Sequence, residues 1–74
     1  MTDGTSPLTR EAFQAKIVAF LGEGTVTKGD IADTVRVSIG TVDRWARGVS
    51  APMESTRQVV IEYIEELIRK HTSD

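Results

Sequence analysis

The chain has 74 residues, of which 39% are apolar and 27% charged, with a net charge of −2, one His and no Cys. That length allows one domain near the lower limit for a self-supporting apolar core, and the lack of Cys excludes both disulfides and Cys-based zinc sites as reinforcement. No apolar run approaches the ~18 residues that cross a bilayer, and the N-terminus has no basic-then-apolar signal pattern, so a cytoplasmic protein without a membrane association is expected.

Residues 1–7, "MTDGTSP", read as a flexible N-terminal tail. A first helix is expected from Thr9, with Leu8 before the cap and Phe13 at the fourth helical position forming a hydrophobic staple. Phe13, Ile17, Phe20 and Leu21 then recur at the spacing of one buried face, and Gly22 and Gly24 end the helix. A second, short helix starts at Thr27, stapled by Val26 and Ile31, with Asp30 where a capping box usually has Glu or Gln. It turns Ile31, Ala32 and Val35 inward and ends near Arg36. A third helix starts at Ser38, stapled by Val37 and Val42, and closes at Gly48.

After the loop "VSAPM", a long helix is expected over about 53–70, followed by a tail over 71–74. At about 100° per residue, Val59, Val60, Ile61, Tyr63, Ile64, Leu67 and Ile68 sweep an apolar arc of about 200°. A surface helix needs little more than ~100°. One half of the arc suffices to cover the first three helices, so the other half predicts a second copy of the chain. Dimer contacts are expected among Val59, Val60, Tyr63, Ile64, Leu67 and Ile68. The chain thus reads as an all-α, four-helix domain over 8–70. Met1 and the three complete caps fit a whole protein.

Residues 27–47 form two short helices joined by a tight turn, "KGDIADTVRVSIGTVDRWARG" after Thr27. This segment resembles the helix-turn-helix of the phage repressor family, the Cro- and lambda-repressor-like regulators. Ala32 matches the small residue where the two helices cross, Ile31 and Val35 the first-helix core, and Val37 the apolar turn residue. Ser38 matches the second cap, Val42 and Trp45 the inward face, and Gly48 and Pro52 the following loop. The likeness covers about residues 25–52 well and the first helix only by type. Two departures stand out. Arg36 occupies a turn position where the family usually has Gly, and one long helix follows where the family commonly has two short ones.

The resemblance implies a recognition helix entering the major groove with its N-terminal residues nearest the bases. Ile39, Gly40, Thr41, Asp43 and Arg44 are then the base-contacting candidates. Gly40 leaves the helix start bare, Ile39 suits a thymine methyl, and Arg44 suits guanine O6 and N7. Thr27, Lys28, Arg36, Ser38 and Arg47 are the phosphate-contacting candidates, by charge and by position at helix starts. Asp43 fits an orienting role toward Arg47 or Arg44, or acceptance from cytosine N4.

Charge distribution permits this on an acidic chain. Residues 25–52 carry four basic and three acidic side chains, against five acidic and three basic beyond Pro52. No acid–base–nucleophile set, metal-ligand cluster or phosphate-cradling Gly loop occurs, so neither an enzyme nor a cofactor, metal or small-molecule ligand is expected. The expected function is a transcriptional regulator, a phage- or plasmid-type repressor, that binds a palindromic double-stranded operator as a homodimer. The alternative is a protein-interaction module, antitoxin-like or adaptor, on a helix-turn-helix core that does not read DNA. A DNA-binding piece of a larger phage enzyme is a lesser option.

Overall fold

A computed structural model describes residues 8–72. The expected tail over residues 1–7 and the last two residues lie outside it. Four helices follow in order: α1 (Arg10–Glu23), α2 (Lys28–Val35), α3 (Ile39–Arg47) and α4 (Glu54–Thr72). No strand occurs among the described residues, so the domain is all-α. No helix among them is long and apolar enough to cross a membrane.

Each of the first three helices starts where its cap chemistry dictates. Thr9, Thr27 and Ser38 are extended N-caps whose hydroxyls accept from the backbone N–H groups of Ala12, Asp30 and Thr41 at 3.0, 3.1 and 3.1 Å. At Thr27 the box is reciprocal, because Asp30 Oδ2 accepts from the Thr27 N–H at 3.0 Å. Asp therefore serves where Glu or Gln is usual. The staple partners all reach the core: Phe13, Val26, Ile31 and Val42 are buried, and Leu8 and Val37 pack against them.

The core is built where α1 and α2 pack against both α3 and α4. Phe13 and Ile17 come from α1, Ile31 and Ala32 from α2, Val42 and Trp45 from α3, and Val60, Ile61 and Ile64 from α4. The Phe13 and Trp45 rings meet edge to face, centroids 5.4 Å apart. Gln14 ties α1 to the end of α3 by donating from Nε2 to the Ala46 carbonyl at 3.1 Å. Arg57 ties the start of α4 to the loop before it and to the residue ahead of the α1 cap, donating to the Pro52 carbonyl at 2.9 Å and the Leu8 carbonyl at 3.0 Å.

Three boundaries differ from expectation. Gly22 lies inside α1, and Gly24 alone takes the left-handed cap at φ 80°. α4 starts at Glu54, one residue after Met53, and runs through His71 to Thr72 instead of stopping at 70. Arg69, Lys70 and His71 in its last turn favour that extension through the helix dipole.

The turn between α2 and α3 is where backbone strain is concentrated. Arg36 has φ 65° and is the one left-handed non-Gly residue among those described. The Ala32 carbonyl accepts from both the Arg36 and Val37 N–H groups, which fixes this geometry. A left-handed L-residue costs about 1–2 kcal/mol, while Gly adds about 0.4–1 kcal/mol of unfolded-state entropy. Arg36→Gly should therefore raise stability, by about 0.5–1 kcal/mol once these two effects are set against each other. Urea unfolding followed by circular dichroism checks it, and a loss would mean that the Arg36 side chain contributes more than its backbone costs.

Candidate nucleic-acid interface

Burying Val42 and Trp45 turns the opposite edge of α3 outward. Ile39 is 57% exposed, and Gly40, Arg44 and Arg47 are exposed beside it. Thr41 and Asp43 are half-buried at the margins. Of the other candidates, Thr27, Arg36 and Ser38 are exposed and Lys28 half-buried. The three-residue turn Arg36–Ser38 sets α2 and α3 so that Lys28 reaches Asp43 and the Ile39 side chain lies against Gly29.

Arg44 does not extend freely into solvent. Its Nη2 donates to Thr41 Oγ1 at 3.2 Å, and the Thr41 and Ser38 hydroxyls share a hydrogen bond of 2.9 Å. The guanidinium therefore folds back toward the start of α3 and lies over Gly40. A Cβ built on Gly40 would stand 3.6 Å from Arg44 Nη1 and 3.8 Å from Ser38 Oγ, which is ordinary contact. Nothing in the isolated fold thus requires Gly at position 40. At Gly48 the opposite holds: φ is 76°, and a Cβ would stand 2.8 Å from the Gln14 amide.

Asp43 is engaged on both oxygens. Lys28 Nζ, from the first turn of α2, meets Oδ1 at 2.6 Å, and Arg47 Nη1, one turn along α3, meets Oδ2 at 3.2 Å. The Lys28 hydrogen bond is the main reason the Asp43 carboxyl is held below the usual carboxylate range. Partial desolvation opposes it, and the charges of Lys28 and Arg47 add to the lowering. The i,i+4 pair of Asp43 with Arg47 is formed, whereas Arg44 is bonded to Thr41 and not to Asp43. Each oxygen keeps a further lone pair, so acceptance from cytosine N4 does not by itself require either pair to break. The Lys28 partner was not anticipated, since a bond across 15 residues leaves no local pattern.

α4 divides its apolar arc. Val60, Ile61 and Ile64 are 5%, 1% and 0% exposed, and Leu67 and Ile68 pack half-buried against the same core. Val60 and Ile64 were expected at a dimer interface, but α1 and α2 already cover them, so they are not available to a second chain. Val59 and Tyr63 remain 43% and 54% exposed. Tyr63 and Leu67 line a groove of about 330 Å³ with Thr34, Glu66 and Lys70. Among the described residues no group of three or more His, Cys, Asp or Glu side chains is placed to hold a metal.

No family model, curated protein or solved structure matches the chain.

Proposed function

We propose that the chain is a sequence-specific double-stranded DNA-binding regulator, of small repressor type, that reads the major groove with helix 38–47 as a homodimer. One observation carries the reading: α3 buries Val42 and Trp45 while presenting Ile39, Gly40 and Arg44 together at its exposed N-terminal end. In helix-turn-helix proteins that end is what meets base edges, and Arg is the commonest reader of guanine. The uncovered side of α4 at Val59 and Tyr63 supports self-association, which would place two such ends in one complex.

The direct test is selection of bound duplexes from a random pool by the whole chain, with inspection for a palindrome. A recovered palindrome, together with a dimer in sedimentation, supports the reading; failure to enrich any duplex ends it. The second reading, a protein-interaction module that ignores DNA, is favoured by the groove beside Tyr63. A chain that enriches no duplex and sediments as a monomer at high concentration would leave that groove for a different protein.

Gly40 separates fold from function. An interior helical Gly costs about 0.5–1 kcal/mol relative to Ala, and here a Cβ has room. Gly40→Ala is expected to raise the unfolding free energy by that amount. Gly40→Leu is expected to stay folded yet lose selected-duplex affinity by roughly tenfold, the scale of one base contact. Unchanged affinity in Gly40→Leu would remove position 40 from the interface.

A further inference from the structure

We propose that Asp43 is an internal counter-ion that occupies Lys28 and Arg47 in the free protein, so that a DNA phosphate has to displace its carboxylate to reach them. The inference rests on the DNA-reading function above and makes Asp43 a positioning residue that sets how strongly the face holds phosphate.

The geometry has three features that a chance surface pair lacks. Both carboxylate oxygens are used, at 2.6 and 3.2 Å, so each cation has its own acceptor. The cations come from two helices, Lys28 from the start of α2 and Arg47 from the end of α3, with Asp43 between them. The other acidic side chain of the α2 start, Asp30, is held in the cap of Thr27, which leaves Asp43 as the acceptor for this pair. Arg44, by contrast, is held by a neutral hydroxyl of Thr41, so its charge is not offset. Asp43 therefore offsets one of the two charges of Lys28 and Arg47, while Arg44 and, at the turn, the exposed Arg36 have no carboxylate partner among the described residues.

That division matters because sequence-independent binding is almost entirely electrostatic. A face with all its cations free would hold any duplex. Engaging Lys28 and Arg47 lowers the affinity of every duplex, so an unrelated duplex, held by phosphate contacts alone, falls away while a selected one keeps what the α3 N-terminal end adds. The side chains of Lys28 and Asp43 are 43% and 32% exposed and that of Arg47 67%. Ion pairs this open to water are weak enough to exchange, so the carboxylate is a counter-ion that phosphate can replace and not a permanent lock.

The experiment uses the whole chain as wild type, Asp43→Asn, Lys28→Met and the double variant, with a melting curve for each. Binding is measured to a duplex recovered by selection and to one of unrelated sequence and equal length. Asp43→Asn is expected to tighten the unrelated duplex by roughly five- to tenfold, since one repulsive charge goes and two cations are released. The selected duplex should gain by a similar factor, so both affinities rise while the ratio between them holds. Lys28→Met should weaken the unrelated duplex more in the Asp43→Asn background than in wild type. Equal losses in both backgrounds, or an Asp43→Asn variant that binds the unrelated duplex no better than wild type, overturns the proposal. If Asp43→Asn does not fold, Lys28→Met alone still decides: a large loss on the unrelated duplex means Lys28 was never occupied. Failure of the wild-type chain to enrich any duplex would instead be a failure of the DNA reading itself.

Discussion

Trp45→Ala is expected to lower the unfolding free energy by about 3–5 kcal/mol, the range for removing a buried Trp or Phe side chain. Trp45 is 5% exposed, and its ring takes the edge-to-face contact with Phe13 at 5.4 Å. Such aromatic pairs add about 0.5–1.5 kcal/mol beyond the area they bury. Native domains hold about 0.05–0.15 kcal/mol per residue, which places a chain of 74 residues at roughly 4–11 kcal/mol. The loss is therefore comparable to the lower end of the whole stability. The variant should be largely unfolded at modest urea concentrations where the parent is intact. Far-UV circular dichroism is the proper readout, because Trp45 is the chain's single Trp. Trp45→Phe should lose less, since it keeps a ring against Phe13. A loss under about 1 kcal/mol for Trp45→Ala would contradict a buried role. It would also undercut the interface, because the burial of this ring is what turns the Ile39–Arg47 edge outward.

The parts of this fold that are legible in the sequence are those decided within five residues. The Thr9, Thr27 and Ser38 caps and their Leu8–Phe13, Val26–Ile31 and Val37–Val42 staples are local, and all lie where the pattern puts them. The left-handed Arg36 is signalled only through the resemblance, which puts Gly at that turn position; nothing in the local pattern fixes its conformation. What stays hidden depends on partners far along the chain. Gln14 and Ala46 are 32 residues apart, and Arg57 and Leu8 are 49 apart. The division of the α4 arc is hidden for the same reason. Val59 and Val60 are equally apolar neighbours, and only the placement of α1 and α2 buries one and exposes the other. At the candidate interface, the i,i+4 pair of Asp43 with Arg47 is readable, whereas its stronger partner Lys28 lies on another helix.

Arg44→Ala is expected to weaken binding to a selected duplex by about 1–3 kcal/mol, or roughly 5- to 150-fold, the value of one bidentate Arg–guanine contact. The fold should not register the change. Arg44 is exposed and its one side-chain bond is to Thr41 Oγ1 at 3.2 Å, so the stability shift should stay within about 0.5 kcal/mol. An unrelated duplex should lose little, since it offers Arg44 only diffuse charge. Arg47→Ala is the contrasting case. If that side chain serves phosphate, both duplexes weaken alike, and the slope of log K against log salt becomes shallower by about 0.9. Arg44→Lys should recover the charge but not the discrimination, because an ammonium cannot reproduce the planar fork that matches O6 and N7. Three curves measured over salt thus separate a reader from a charge. Arg44 reads bases if its removal collapses the difference between duplexes, and equal losses on both would reduce it to one more cation on the surface.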